Sequence, residues 1–581
     1  MRKKSKTAPT GQSMVKGAAI LASSVIIVKI IGFVYKLLIG RMLGGLGLGC
    51  FGTAYDLYGP IESLANAGFP VAISKLVSDY MARGRYRDIR KLHKLSIPIF
   101  IFTGSLAFLI MVGFSFPYVW ISESPGALYA TLFLSPTVFF VCMMSIYKGY
   151  YQGLGNMLPT AKTEIIEALS KLIVGFVSVI AVFNFVKKFF GISGSQKVSE
   201  NSDAMQYVAA SAIFGVTFGA LMAFLYIFFF HKKNGDGITK EQLKSSPTPF
   251  SLKQIFISLI KLSIPIGLAA LVMNIGGVID AVIVKRRLEE LMENSSTAQI
   301  ILNMYPNDIA TEIIVKKQVN LYLYGCMGYV TTFTLLVPSI TQMLGVSALP
   351  KVAAAWVKKD KIMLKQSVET VIRLTSIVAI PAGIAFIAMG GNILELVYGD
   401  TKICEVHIAS KLSIILSLAM VFVSFSTPIF SMLQAVGLAK LPLKLLIFGV
   451  TIKIICNYIL VGIPAINIQG AGTGTLICYI FVTTAAFYRL CKRTRVFPNF
   501  VVVFVKPIIA AFVSVMLSKI LQRFLSCFIP FKINVLITLC IIVILYFVLL
   551  LLFGGILKSD IKSFPKGEKI VKVLEKIKWI R

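Results

Sequence analysis

The sequence has little charge for its length. Only 14% of its 581 residues are Asp, Glu, Lys or Arg, whereas 57% are apolar. A mean hydropathy of +0.83 accompanies this composition. Soluble domains carry about a quarter charged residues, so the composition excludes an ordinary soluble protein of this size. It predicts an all-α integral membrane protein, because helices satisfy their own backbone polar groups in lipid.

Histidines, paired cysteines and nucleotide-binding motifs are also scarce. The chain has three histidines, His93, His231 and His407, and nine cysteines without Cys-x-x-Cys spacing. We therefore predict no metal site, no disulfide framework and no cofactor. No Gly-Lys-Ser/Thr sequence occurs, even after the glycine-rich stretch 470–474, which argues against a phosphate loop and a primary ATPase.

Acidic residues are few compared with basic ones, 25 against 59, and the formal net charge is +34. In a soluble protein this excess would suggest a nucleic-acid partner. Here the basic residues gather in short loops between apolar runs, at 83–94, 232–233, 358–365 and 489–495. This distribution is typical of cytoplasmic loops. It predicts a multi-pass protein of the cytoplasmic membrane, with both termini cytoplasmic, anionic lipid around it and no nucleic acid.

Apolar runs long enough to cross a bilayer number about fourteen. Their approximate limits are residues 17–40, 51–80, 94–116, 127–150, 160–185, 205–230, 256–285, 318–346, 364–390, 408–433, 441–462, 471–490, 501–523 and 532–555. The first run exceeds a signal-peptide core, so we expect it to be retained as a helix.

These runs predict a linear organisation. A basic cytoplasmic N-terminus (1–16) precedes a first lobe of six helices (17–230), a cytoplasmic linker (231–255) and a second lobe (256–490). Two further helices (501–555) and a basic cytoplasmic tail (556–581) follow. The polar segment 286–317 is predicted to be an external loop. It is either a cap that contacts the substrate or, as we prefer, a solvated and partly helical connector.

An internal repeat supports the two lobes. Gln152 and Lys171 flank Gly155 and Pro159, and Gln434 and Lys453 flank Gly437 and Pro442 with the same separation of 19 residues. The segments 68–72 and 348–352 form a second related pair. The repeat predicts two pseudo-symmetric six-helix lobes plus two C-terminal helices, with the substrate between the lobes.

Charged residues inside the apolar runs are candidate functional residues, because placing a charge in the bilayer is costly. Lys29 and Lys36 are seven residues apart and share one helix face, and Arg41 lies at the end of that helix. Such a stripe of cations suits a pyrophosphate that passes through the membrane. The alternative is that these side chains only reach the lipid headgroups.

Carboxylates suggest a second role. Glu164, Glu167 and Lys171 share a face of the fifth predicted helix, and Glu167 and Lys171 have ion-pair spacing. Their pairing is either structural or part of a site that couples Na⁺ or H⁺ to transport. Further candidates for ion coupling are Asp56, Glu62 and Asp280. Lys453 and Asn457 share a face of the corresponding helix in the second lobe.

Three segments resemble a known family. They are Lys29-Ile-Ile-Gly-Phe-Val-Tyr-Lys36, Gly68-Phe-Pro-Val-Ala-Ile-Ser-Lys75, and the segment from Tyr147 to Thr160 with Glu167. They are similar to the polysaccharide-flippase branch of the multidrug/oligosaccharidyl-lipid/polysaccharide exporter superfamily. Within that branch, the most similar group is the stage V sporulation protein B group of Gram-positive bacteria, which includes lipid II flippases.

The resemblance implies fourteen helices and two lobes around a cationic cavity, with alternating access for undecaprenyl-pyrophosphate-linked sugars. Lys29 matches a cavity arginine of the related MurJ group, whereas Tyr35 and Lys36 stand where that group has arginine and aspartate. Glu62-Ser63 lies near the position of an arginine pair. The predicted substrate-binding residues are Lys29, Tyr35, Lys36, Arg41, Lys171, Lys453 and Asn457.

The resulting hypothesis is a monomeric flippase, not an enzyme, for lipid II or a related polysaccharide precursor. One alternative is an ion-coupled multidrug exporter, whose cavity should favour carboxylates and aromatic residues over lysines. Another is a membrane polymerase or ligase of lipid-linked glycans, which needs a catalytic group on a large external loop.

Overall fold

The fold was analysed in a computed structural model that describes residues 14–66, 68–192, 198, 201–306, 308–400 and 402–556. Most of the predicted basic N-terminus (1–16) and tail (556–581) lies outside these residues. The described chain is almost entirely helical, which confirms the all-α prediction. Its helices are α1 (Met14–Asn66), α2 (Phe69–Ala82), α3 (Tyr86–Ile121), α4 (Leu128–Gly153), α5 (Leu158–Phe189), α6 (Ser202–Asn234), α7 (Lys240–Ser245), α8 (Leu252–Glu293), α9 (Ser295–Met304), α10 (Thr311–Val315), α11 (Val319–Thr334), α12 (Leu336–Val357), α13 (Lys361–Tyr398), α14 (Ile403–Ala435), α15 (Leu441–Val461), α16 (Gln469–Thr494), α17 (Lys506–Leu525) and α18 (Phe531–Leu552).

Twelve helical segments of the described chain are long and apolar enough to cross a membrane. The predicted spans 17–40 and 51–80 both overlap one of them, Ser23–Ala82. The predicted span 256–285 lies in α8, outside the twelve. The protein is a multi-pass membrane protein. The predicted count of fourteen membrane spans stays a prediction.

Helix α1 explains why two predicted spans fall in one segment. At 53 residues and about 1.5 Å per residue it is far longer than one crossing of a bilayer. Gly44 interrupts it with φ 66° and ψ −173°, a conformation outside the helical region. Glycine has no Cβ to oppose this positive φ. The break lies inside the predicted gap 40–51, so the first predicted span corresponds to the first part of α1. The second predicted span, 51–80, covers the rest of α1 and most of α2.

The chain forms two compact units. The first contains residues up to Glu289 together with Ala310–Gly325, and the second contains Glu290–Ile309 and the chain from Cys326 onward. The repeat assigned residues 256–285 to the second lobe, whereas α8 packs in the first unit. The reason is direct contact, because Asn274 donates a hydrogen bond to Ser63 at 2.7 Å and Lys285 donates one to Thr53 at 3.0 Å.

The two copies of the repeated Gln-to-Gly segment have the same local structure. α4 ends just before Gly155, which has φ 75°, and α14 ends just before Gly437, which has φ 85°. The Asn156 N–H donates to the Tyr151 carbonyl at 2.9 Å, and the Leu438 N–H donates to the Leu433 carbonyl at 2.9 Å. Both are helix ends closed by a left-handed glycine. The second repeated pair differs, because Pro70 lies at the start of α2 whereas its counterpart Pro350 lies inside α12.

The segment predicted as an external loop (286–317) is largely helical. α8 continues to Glu293, and α9 and α10 follow before α11 begins at Val319. In the second unit, Tyr305 donates a hydrogen bond to Asn467 Oδ1 at 3.0 Å, and the Lys411 ammonium donates to the Met304 carbonyl at 3.1 Å. The end of α9 is therefore packed by specific contacts.

Candidate functional site

Three lysines of the first unit form one cationic group, which we call the lysine cluster: Lys29 and Lys36 on α1 and Lys171 on α5. The positive charges of Lys171 and Lys29 both act on Lys36. Lys171 is the fourteenth residue of α5, about 20 Å along the helix axis and thus deep in a span of about 30 Å. A third lysine, from another helix, therefore acts electrostatically on the predicted stripe of Lys29 and Lys36.

Two tyrosines hold Lys171 in place. Its ammonium donates to the Tyr55 hydroxyl at 3.2 Å and lies 5.1 Å from the centre of the Tyr35 ring. The Tyr35 side chain is 1% exposed, and its hydroxyl donates to the Ala212 carbonyl at 2.7 Å. Tyr35, predicted to contact substrate, is therefore occupied in joining α1 to α6 and in facing Lys171.

Glycines allow α1, α5 and α6 to come this close. A Cβ at Gly175 of α5 would lie 2.8 Å from the Tyr35 ring, and a Cβ at Gly215 of α6 would lie 2.2 Å from the Gly175 Cα. Both distances are shorter than any ordinary contact between heavy atoms. Small residues at these positions let the backbones approach, as is usual for membrane helices.

The predicted carboxylates pair with a lysine that the sequence did not single out. The Lys148 ammonium of α4 lies 4.0 Å from Glu164 Oε1 and 3.9 Å from Glu167 Oε2. Ser24 donates a hydrogen bond to Glu164 at 3.5 Å. The ion-pair spacing of Glu167 and Lys171 is thus not used as expected, because Glu167 contacts Lys148 while Lys171 contacts Tyr55. We call Lys148, Glu164 and Glu167 the carboxylate cluster.

Glu62 lies near the carboxylate cluster. It accepts a hydrogen bond from the Asn66 amide at 3.3 Å, and the charges of both Glu167 and Lys148 act on it. Asn66 in turn accepts a hydrogen bond from Ser145 of α4. Glu62 is therefore within electrostatic reach of the carboxylate cluster, in which Glu164 and Glu167 share Lys148 as their cationic partner.

Asp56 belongs to a separate group around a completely buried lysine. Lys285 of α8 is 0% exposed. Its ammonium donates to Thr53 at 3.0 Å, lies 3.9 Å from Asp56 Oδ2 and faces the ring of Tyr324 at 5.1 Å. The Tyr324 hydroxyl donates to Asp56 at 3.0 Å. The predicted coupling carboxylate Asp56 therefore already has a cation and a hydroxyl donor beside it.

The remaining predicted residues lie elsewhere. Arg41 is exposed on α1, and the charge of Asp280 acts on Tyr324, near the Asp56 group. Lys453 and Asn457 are on α15 in the second unit, where a Cβ at Gly474 of α16 would collide with Asn457 Oδ1 at 1.9 Å. Within the described ranges, no three His, Cys, Asp or Glu side chains are arranged to hold a metal ion.

Four functional candidates were missed from the sequence, for two reasons. Lys148 and Lys285 lie close to the ends of predicted spans (127–150 and 256–285), where lysines normally reach the headgroups. Lys285 is nevertheless not at a helix end, because α8 continues to Glu293. That continuation is the feature that would have pointed to Lys285. Tyr55 and Tyr324 carry no charge, and tyrosines in apolar runs are common.

Comparisons with known proteins agree with this architecture. The family described as "Polysaccharide biosynthesis protein" matches residues 14–291, and the family described as "MatE" matches residues 325–459. Stage V sporulation protein B of Bacillus subtilis (strain 168) is 23% identical over 95% of this chain and 98% of its own length. Lipid II flippase MurJ of the same organism is 23% identical over 80% of each chain.

Solved structures extend the likeness to three dimensions. Lipid II flippase MurJ in an inward closed conformation matches with a TM-score of 0.62 and 15% identity, covering 91% of this chain and 98% of that one. An inward-facing multidrug resistance transporter of the MATE family matches with a TM-score of 0.60 and 13% identity, over 82% and 98%. These matches confirm the resemblance that the sequence motifs indicate: the chain is similar to the polysaccharide biosynthesis family over residues 14–291 and to the MatE family over residues 325–459, and to Stage V sporulation protein B over nearly its whole length.

Proposed function

We propose that the protein is a flippase that moves an undecaprenyl-pyrophosphate-linked saccharide, lipid II or a related polysaccharide precursor, across the cytoplasmic membrane by alternating access. The observation that carries this proposal is the lysine cluster. Lys171 lies over the ring of Tyr35, the residue before Lys36, and the charges of Lys29 and Lys171 both act on Lys36. None of the three lysines forms an ion pair with a carboxylate among the described residues.

The physical argument is the cost of this arrangement. Each lysine in a span costs about 2.5 to 3.5 kcal/mol on insertion scales, and like charges close together add repulsion. An anionic cargo that enters the cluster removes both penalties. A pyrophosphate suits it because its oxygens accept several hydrogen bonds, and each ammonium offers three rotatable donors. Lys36 and Lys171 would hold the pyrophosphate, and Lys29 would meet it nearer the end of α1.

The carboxylate cluster is the proposed site of coupling to Na⁺ or H⁺. Glu164 and Glu167 share one ammonium at 4.0 and 3.9 Å, so two negative charges face a single positive one. A bound Na⁺ or a proton would balance the second charge. Asp56 is a weaker candidate, because the Lys285 ammonium already stands beside it and would repel a cation.

The lysine cluster also argues against the alternative of an ion-coupled exporter of cationic drugs, which the likeness to a multidrug resistance transporter of the MATE family keeps open. Lysines would repel such a cargo, whereas a drug-binding cavity of that kind would present carboxylates and aromatic faces. We also propose a transporter rather than a polymerase or ligase, a monomer, cytoplasmic termini and a Gram-positive bacterium as the source. The last proposal follows from the Bacillus subtilis relatives.

Reconstitution tests the proposal directly. Purified protein in vesicles should move fluorescent lipid II between leaflets, measured as the fraction that a membrane-impermeant reductant can quench. Lys171→Gln should slow this movement, whereas Lys188→Gln, the same change in the last turn of α5, should not. Transport of a cationic dye in place of lipid II would contradict the proposal.

A further inference from the structure

An open groove lies on the first unit between α5 and α6. It is separate from the lysine cluster, the carboxylate cluster and the group around Lys285. It has a volume of about 700 Å³. Its lining is mainly apolar and aromatic: Ile166, Met222, Leu225, Tyr226, Phe229 and Phe230, with Lys162, Lys233 and Asn234. Phe229 is 58% exposed, so aromatic surface is open on the outside of the unit.

The lining residues of α6 follow one helix face. Met222, Tyr226, Phe229 and Lys233 are spaced by four, three and four residues, which places them one above the other. From Met222 to Lys233 the helix rises about 16 Å. That distance is about half the thickness of the hydrocarbon core, so the groove has the length of one leaflet.

The charged residues lie at one end of this groove. Lys162 is in the second turn of α5, which begins at Leu158, and Lys233 is in the last turn of α6, which ends at Asn234. The two helices pack against each other along their length. Lys162 and Lys233 are both exposed, and neither forms an ion pair within the described chain. The groove thus combines an apolar channel with two lysine ammonium groups at one end, and neither ammonium has a carboxylate partner within the described chain.

We propose that this groove binds one anionic phospholipid, with an acyl chain along α6 and the phosphate between Lys162 and Lys233. Charge complementarity selects the headgroup, because two lysines without carboxylate partners attract a phosphate. Length selects the chain, because a groove that spans one leaflet fits an acyl chain, whereas a much longer prenyl tail would extend beyond it. The site is independent of the transported substrate, so the experiment that tests it does not test the flippase proposal.

Native mass spectrometry of the delipidated, detergent-solubilised full-length protein tests the site. Phosphatidylglycerol is titrated in one arm, phosphatidylcholine in a second and undecaprenyl phosphate in a third. We expect one phosphatidylglycerol to bind well below the concentrations at which the other two lipids bind. Equal binding of phosphatidylcholine would overturn the proposal, because the charge would then be irrelevant. Tighter binding of undecaprenyl phosphate would overturn the choice of occupant.

Variants localise the binding. An interaction of a lysine with an anionic lipid surface is typically equivalent to about fivefold in affinity, so Lys162→Gln with Lys233→Gln should weaken phosphatidylglycerol binding about thirtyfold. Lys162→Arg with Lys233→Arg should retain it. The matched control is Lys232→Gln, the neighbouring lysine of α6 that does not line the groove. If the double glutamine variant, with an unchanged unfolding temperature, binds like the unaltered protein, the groove is not the site.

Discussion

At the scale of single residues, the partners of each membrane lysine distinguish its role. Lys148 and Lys285 face carboxylates, so their charges are neutralised within the fold. Lys171 faces a hydroxyl and an aromatic ring instead, and the charges that act on Lys36 are those of two other lysines. The first pair therefore stabilises the helices, whereas the second pair retains positive charge that an anionic ligand can use.

This distinction predicts the effect of removing Lys36. Lys36→Gln should lower the rate of lipid II flipping by at least about tenfold, because a hydrogen bond to a charged group contributes about 1.5 to 3 kcal/mol. The amount of folded protein in the membrane should not fall, since the change removes repulsion. The rate is measured in reconstituted vesicles against Lys188→Gln. A rate for Lys36→Gln equal to that of the control would exclude Lys36 from the site.

Lys285 should behave in the opposite way. Asp56→Asn leaves the buried Lys285 ammonium without its carboxylate, and breaking a buried ion pair costs about 3 kcal/mol or more. Lys285→Met should also destabilise the protein, and the double variant should lose less than the sum of the two changes. The unfolding midpoint in detergent measures each variant. Additive losses would mean that the 3.9 Å approach contributes no stability.

At the scale of elements, hydropathy predicted most helices but not where they break or end. The gap 40–51 between two predicted spans is mostly helix, and only Gly44 departs from it. The end of span 256–285 was placed about eight residues too early, because polar residues after Lys285 continue the same helix. Hydropathy detects contact with lipid, whereas helix ends depend on backbone hydrogen bonding and packing.

The candidate site was predictable only in part for a related reason. Spacing along one helix placed Lys29 and Lys36 on a common face, which the electrostatic link between them supports. Contacts between helices were not predictable from spacing. Lys171 turns to Tyr55 of α1 rather than to Glu167 one turn away, because tertiary packing brings a hydroxyl closer than the helical neighbour. The role of each predicted site residue in transport stays a prediction.

The repeated helix ends give a prediction at this scale. Gly155 and Gly437 both have positive φ, and no atom would contact an added Cβ. Gly155→Ala and Gly437→Ala should each destabilise the protein by about 1 kcal/mol, because a left-handed conformation is costly for alanine. Gly113→Ala, inside α3 and equally free of Cβ contacts, is the control and should be neutral or stabilising. Unfolding midpoints that rank the control lowest would refute this explanation.

At the scale of the whole molecule, the distribution of basic loops predicts the orientation. If both termini are cytoplasmic, the loop between α17 and α18 is external. It contains Cys527, an exposed cysteine. A membrane-impermeant maleimide added to intact cells should therefore label Cys527, and Cys527→Ser should remove that label. A cysteine introduced at Lys233 should react only after the cells are opened. The reverse pattern would invert the topology.

The flippase proposal is tested most directly in a cell depleted of its own lipid II flippase. The chain is expressed in that cell, and lipid II exposed on the outer leaflet is quantified with a reagent that cannot cross the membrane. We predict that the unaltered protein restores lipid II on the outer leaflet, or the corresponding lipid-linked precursor in a matched assay. The double variant Lys36→Gln with Lys171→Gln, expressed at the same level, should not restore it. The proposal would be contradicted if the double variant restored outer-leaflet lipid II as well as the unaltered protein does. It would also be contradicted if every lipid-linked precursor stayed on the inner leaflet while the unaltered protein was present.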